Sequence, residues 1–149
     1  MKKFLFAISI AVLGGISVMC TSAQEKEIAI VAHRGYWNCD AAGSAKNSIA
    51  SLAQAQELGV WGSEFDVNLT EDGVLLVFHD GTVDGKRIEK NPASAFADHR
   101  LKNGERIPVI DEYLEQAKKN PKTMLVYELK KHSCDSVETN AVDASIAKL

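Results

Sequence analysis

Cysteine is scarce in this sequence: three in 149 residues, none in a C-x-x-C or C-x-x-H context. That spacing excludes a thiolate zinc site. A basic surplus is missing as well. Lys and Arg number 17 against 20 Asp and Glu, a formal net charge of −3, which argues against a nucleic-acid binder. There are no internal repeats, no low-complexity tracts, and no second long apolar run after the amino terminus. Too little polarity is present for disorder, since 46% of residues are hydrophobic. The chain also lacks length for one architecture: it suits one ordinary domain, whereas an eight-stranded (β/α) barrel takes roughly 250 residues.

What is present begins with an export label. Met1-Lys2-Lys3 is a positive start, Phe4 to Met19 is apolar apart from Ser9, Gly14, Gly15 and Ser17, and Thr21-Ser22-Ala23 supplies small residues before Gln24. This is the pattern of a signal peptide over residues 1–23, too short and too abruptly followed by polar sequence for a transmembrane span. The expected location is exported, periplasmic or secreted. A lipid anchor would fall on Cys20, although Met19 before it is bulkier than that processing usually tolerates. In residues 24–149 two cysteines remain, Cys39 and Cys134. In an oxidising compartment they could form a disulfide, or stand as two separate thiols.

Residues 24–149 alternate between strand-like and helix-like stretches. Glu27 to Ala32 is a nearly continuous apolar run, as for a strand of a parallel sheet buried on both faces. Asn47 or Ser48 can cap a helix bearing Ile49, Leu52, Ala53, Ala55 and Leu58, closed by Gly59. Trp61 to Leu69 reads as a second strand, Thr70 to Gly73 as a tight turn, and Val74 to Phe78 as a third strand. That turn leaves no room for a helix, so β-α alternation breaks there. Gly81 to Glu105 is expected as a long loop with a short helix near Ala93–Ala97. A helix follows Ile107-Pro108, capped by Asp111 and stopped by Pro121. Thr123 to Lys130 is the fourth strand, and Ser136 to Leu149 is helical in pattern.

Chemistry-bearing residues gather at the strand ends. The first strand finishes in His33-Arg34, the third in His79-Asp80, and the fourth in Glu128-x-Lys130. The second carries Glu64 and Asp66, two apart and therefore on one face. Taken singly, each has a bland reading: a surface histidine, a solvated strand edge, a turn. Together, and in a sheet whose carboxyl ends gather ligands, they point to one pocket. Three carboxylates are hard oxygen ligands suited to Ca²⁺ or Mg²⁺. Two histidines can serve as general acid and base. Arg34 and Lys130 are natural partners of phosphate oxygens. Asp80 fits an orienting role beside His79.

The run Ala32-His33-Arg34-Gly35, Asn47-Ser48, Glu64-Phe65-Asp66-Val67, Leu69-Thr70-Glu71-Asp72-Gly73, His79-Asp80, Ile107-Pro108 and Glu128-Leu129-Lys130 resembles the glycerophosphodiester phosphodiesterase family, in order and approximate spacing over residues 30–130. The resemblance implies a TIM (β/α)8 barrel of the PLC-like phosphodiesterase type, of which this chain would be the truncated amino-terminal half. It implies hydrolysis of glycerophosphodiesters to glycerol 3-phosphate and an alcohol with a divalent metal, Ca²⁺ or Mg²⁺. Glu64, Asp66 and Glu128 would hold the metal, His33 and His79 would be the acid–base pair, and Arg34 and Lys130 would hold the substrate phosphate. Which histidine is acid and which base stays open.

Two departures stand out. Where the family usually has Pro-Glu-Asn-Thr, this chain has Ala45-Lys46-Asn47-Ser48, placing a lysine for a carboxylate. The family's later strands have no counterpart, so the fold would be unfinished, inactive alone, and able to associate through open barrel edges. Two further readings remain: a non-catalytic half-barrel binding metal, phosphate or a partner chain, and a related phosphodiesterase acting on phosphoinositides or sphingolipids.

Overall fold

In the computed structural model, residues 28–149 are described; the expected signal peptide, with Cys20, lies outside them. The fold is organised by strand β2 (Gly62–Leu69), whose eight residues are all buried. Its alternation divides two kinds of chemistry. Phe65, Val67 and Leu69 face the helices, whereas Glu64, Asp66 and Asn68 line the opposite face. On one edge β2 pairs in parallel with β6 (Met124–Leu129), aligning Glu64 with Val126 and Asp66 with Glu128. On the other edge it pairs first with β1 (Val31–Ala32), in parallel, and then with β3 (Leu75–Val77), antiparallel. The β2–β3 hairpin turns at Thr70 to Gly73, where the Thr70 hydroxyl donates to Asp72 (2.6 Å) and accepts from the Val74 N–H (2.9 Å).

Three helices cover the apolar face: α1 (Ile49–Leu58), α2 (Ile110–Lys118) and α3 (Asp135–Ile146). The core is Leu52 of α1, Phe65, Val67 and Leu69 of β2, Leu75 and Val77 of β3, Ile110 and Tyr113 of α2, and Ala141 of α3. Phe65 is its centre, stacked on Tyr113 at 4.6 Å and edge-on to Tyr127 at 5.2 Å. Helix α1 begins as its sequence suggests, with Ser48 Oγ accepting from the Ser51 N–H and Gly59 closing it in the left-handed region. Its first two amides have a more distant partner: the Glu105 carboxylate accepts from Ile49 (2.8 Å) and Ala50 (3.2 Å).

Several expectations need correction. The first strand is only Val31–Ala32, and Ile28, Ile30 and Val31 are exposed, because β1 is an edge with β2 as its sole described neighbour. The third strand returns antiparallel across the tight turn, in keeping with the broken β-α alternation, so three parallel strands form the arc. Residues 81–105 are not a plain loop. They hold a small hairpin, β4 (Thr82–Val83) and β5 (Lys86–Arg87), and 3₁₀ turns at Ile88–Lys90 and Ala93–Phe96. Leu76, Val83, Ile88, Phe96 and Ile107 give this insert its own apolar cluster. Asp111 does not cap α2; it pairs with Lys148, and Glu112 instead accepts from the Val109 N–H (3.3 Å). No disulfide joins Cys39 and Cys134. The Cys39 thiol donates to the Tyr36 carbonyl (3.2 Å), and Cys134 lies 3.3 Å from Ser136 Oγ. Among the described residues no helix is long and apolar enough to cross a membrane.

Candidate active site

The polar face of β2 becomes the floor of the site. Glu64 and Asp66 sit mid-strand, not at its end, because β2 runs on into the hairpin with β3. The parallel register brings Glu128 beside Asp66. One oxygen from each of Glu64, Asp66 and Glu128 falls within 4.8 Å of the others. Oxygens about 2.3–2.6 Å from a shared Ca²⁺ can be that far apart. The surroundings fit such an ion. Glu64 Oε1 is buried without a hydrogen-bond partner, an orphaned acceptor beside two further carboxylates. Burial pushes the Glu64 carboxyl above the ordinary glutamate value; the Arg34 N–H opposes this, and Asp66 and Glu128 add repulsion. A hard dication would relieve both the repulsion and the orphaned oxygen.

Cations hold this floor together. Arg34 lies in the left-handed region (φ 61°), and its backbone N–H donates to Glu64 Oε2 (2.8 Å). Its Nε is 3.2 Å from Asp66 Oδ2. The turn is tight enough to require glycine next: Gly35 has φ 76°, and a Cβ there would come within 2.7 Å of the Ser51 carbonyl carbon. Lys130 reaches Glu128 (2.6 Å) and Asp66 (3.2 Å), and the Glu128 contact raises its pKa. Both residues expected to hold phosphate thus lie at the floor, each on a carboxylate.

The histidines sit above. His33 Nε2 is 3.7 Å from Glu64 Oε2, with a largely exposed ring. His79 Nδ1 lies 2.7 Å from Asp80 Oδ1, the orienting contact expected of that aspartate. Arg34 and His79 line a common cavity of about 450 Å³, with Lys46 and Asn47 on its wall. The ammonium of Lys46 lies 4.5 Å above the Trp37 ring.

Two positioning residues escape a reading by strand ends. Asn47, buried and at φ 58°, donates from Nδ2 to Asp66 Oδ2 (2.9 Å) and accepts at Oδ1 from the Asp66 N–H (3.3 Å). Its signals in the sequence were its place in the family-like Asn47-Ser48 pair and its tolerance of the left-handed region; its contact with Asp66 was not among them. Asn68, two beyond Asp66 on the same face, donates to the Phe78 carbonyl (2.7 Å) and so fixes the segment that carries His79. Beyond the hairpin, His132 is buried and accepts from the Leu69 N–H at 3.1 Å.

Residues 33–146 match the sequence model of the glycerophosphoryl diester phosphodiesterase family. The glycerophosphodiester phosphodiesterase of Caldanaerobacter subterraneus subsp. tengcongensis is 37% identical over 98 residues, covering 58% of this chain and 39% of that protein. Human glycerophosphodiester phosphodiesterase 1 is 30% identical over 128 residues, covering 74% of this chain and 36% of that one. Among solved structures, a glycerophosphodiester phosphodiesterase from Parabacteroides distasonis superposes with a TM-score of 0.76 at 44% identity, over 79% of this chain and 49% of that one. An Oleispira antarctica phosphodiesterase, solved with the product sn-glycerol-3-phosphate, gives 0.66 at 28% identity, over 81% and 51%. The chain spans about half the length of these solved relatives and little more than a third of the curated ones. Its β1–α1, β2–α2 and β6–α3 units are staves of a TIM (β/α)8 barrel.

Proposed function

The chain belongs to the glycerophosphoryl diester phosphodiesterase family, and from that premise we propose that its protein hydrolyses glycerophosphodiesters to glycerol 3-phosphate and an alcohol. One observation carries this reading: Glu64, Asp66 and Glu128 are clustered, with Arg34 and Lys130 on them and His33 beside them. Glu64, Asp66 and Glu128 would hold a divalent cation, Ca²⁺ or Mg²⁺, which when bound supplies electrostatic stabilisation of charge developing on the phosphate. Arg34 and Lys130 would hold the phosphate oxygens beside it. One imidazole takes the proton of the substrate's own glycerol hydroxyl as that oxygen attacks phosphorus, and the other gives a proton to the departing alcohol oxygen. Water then opens the resulting cyclic phosphate. Asp80 fixes the His79 ring, favouring the tautomer with its proton on Nδ1 and the lone pair on Nε2.

The test is release of glycerol 3-phosphate from glycerophosphocholine by the protein expressed from its complete reading frame. Turnover should require a divalent cation and should fall by at least about a hundredfold in His33→Ala and in His79→Ala. Activity that survives chelation, or persists in both variants, overturns the reading.

A further inference from the structure

The cavity beside His79 has a charge pattern that the carboxylate floor does not account for. It is walled by Arg34, Lys46 and Asn47 on one side, and by Phe78, His79, Asp80 and residues 99–102 on the other. Four of these residues are cationic: Arg34, Lys46, Arg100 and Lys102. Arg34 is matched by Asp66. Lys46, Arg100 and Lys102 take part in no ion pair among the described residues. Asp80 is the one carboxylate on the wall, and it is engaged by His79. The carboxylate that meets His99, at 2.9 Å, belongs to Asp84, which does not itself line the cavity.

The wall is also held in place. Arg100 donates from one guanidinium nitrogen to the carbonyls of Ala97 (2.7 Å) and His99 (2.9 Å), and the His99 ring packs edge-on to Phe78. Unmatched like charges around a concave surface repel one another and favour an anion between them. At about 450 Å³ the cavity falls within the ~300–1,000 Å³ usual for small-molecule sites.

We propose that this cavity receives the variable alcohol end of the substrate and selects an alcohol that itself carries an anionic group, such as a second phosphate. The proposal rests on the diesterase reading above. The glycerol end is neutral and offers cations no partner of opposite charge, while the reacting phosphate is met by Arg34 and Lys130 at the floor. Three further cations therefore exceed what one phosphodiester charge requires. A cationic alcohol such as choline is disfavoured by the same wall.

The test compares kcat/KM for glycerophosphoinositol 4-phosphate and glycerophosphoinositol, two substrates that differ by one phosphate, using the protein from its complete reading frame. The phosphorylated substrate should be preferred by about tenfold or more at low ionic strength, with the gap narrowing near about 0.5 M salt. The Lys46→Gln/Lys102→Gln double variant, at two exposed positions, should lose most of that preference. Equal rates in the unaltered protein, or a preference that survives in the double variant, overturn the proposal. Calorimetric titration with inositol 1,4-bisphosphate and inositol 1-phosphate separates the two readings. If neither diester is turned over, the hydrolase reading fails, and tighter binding of the bisphosphate, lost in the double variant, still supports the pocket. Equal binding of both overturns it.

Discussion

The floor of the site and its wall are built differently. The floor is sheet: Glu64, Asp66 and Glu128 are fixed by the β2–β6 register, and Phe65, between Asp66 and Glu64, anchors the strand in the main core. The wall, residues 81–107, is made of short turns around a second apolar cluster, which reaches the sheet through Leu76 of β3. Beyond Leu76, the two regions are tied by hydrogen bonds, among them the Glu71 N–H to the Asn91 carbonyl (3.0 Å) and the Glu105 carboxylate on the first amides of α1. Asn68 holds the Phe78 carbonyl, Asp72 accepts from the Ala93 N–H (3.0 Å), and Glu89 accepts from the Ser133 N–H (2.8 Å). A rigid sheet places reacting groups, and an insert packed around a second cluster can vary what surrounds them.

The sharpest way to break this contrast is Asp66→Ala. Asp66 meets Arg34, Lys130 and Asn47, so its loss leaves buried polar groups unmatched. Turnover should drop by at least about a thousandfold and stability by about 3 kcal/mol, read by assay and thermal unfolding. A small change in both would mean that the floor is not held from its centre.

Ile88→Ala tests the wall. It should cost about 2–4 kcal/mol, confined to the insert. Hydrogen exchange should show residues 82–107 losing protection while β2 and β6 keep theirs; equal loss in both would erase the distinction.

Asn47 offers a finer cut. Asn47→Ala removes the grip on Asp66 and adds about 1–2 kcal/mol of left-handed backbone strain. Asn47→Gly removes the grip without that strain. Both variants should weaken divalent-ion affinity by about tenfold or more, measured by calorimetry, and only Asn47→Ala should show the extra loss of stability. If Asn47→Gly binds the ion normally, the side chain is not the positioning element.

Acid should act on Glu64 and on Asp72 in opposite directions. Glu64, raised by burial, disfavours its charged form in the fold, so its stabilising protonation is complete below the ordinary 4.5 and is lost as pH rises through its folded value. Asp72 is lowered, chiefly by the Thr70 hydroxyl and then by the Ala93 N–H, so its contribution is present above the ordinary 3.8 and lost as pH falls through its folded value. In the absence of divalent ions, acidification should therefore relieve Glu64 at the floor and loosen the hairpin turn's hold on the insert. Thermal unfolding from pH 6 to about pH 3 reads this: Glu64→Gln should be more stable than the unaltered protein at pH 6 and Asp72→Asn less stable, with both gaps closing in acid; gaps of the same sign would count against it.

Legibility in the sequence followed the same divide. Period-two alternation put Glu64 and Asp66 on one face, and capping residues bounded α1, because regular elements write their geometry into local spacing. His33, Arg34, Glu128 and Lys130 were legible as polar interruptions of apolar runs. What escaped depended on distant partners. The Asn47 grip on Asp66 spans 19 positions and is set by a tertiary contact that no local window contains, and the Asn68 hold on residue 78 is a side-chain contact that a hairpin pattern does not specify. The insert has no periodicity to read, since its cluster is assembled from single apolar residues on separate turns. Asp111 looked like a cap because its residue type suits one, but Lys148, 37 positions away, takes its carboxylate.

A helix that borrows its cap from far downstream cannot be completed early. The Glu105 carboxylate that closes the first turn of α1 comes 56 positions after Ile49, and Asn47 stands just ahead of that turn. As the chain is synthesised, Ser48 can cap the Ser51 amide at once, but the Ile49 and Ala50 amides have no Glu105 until the insert has been made and has folded back. The asparagine that steadies Asp66 should settle only then. Two regions with different cores are in this way joined in time, and a redesign that exchanges the insert for another would have to keep Glu105 as its clasp.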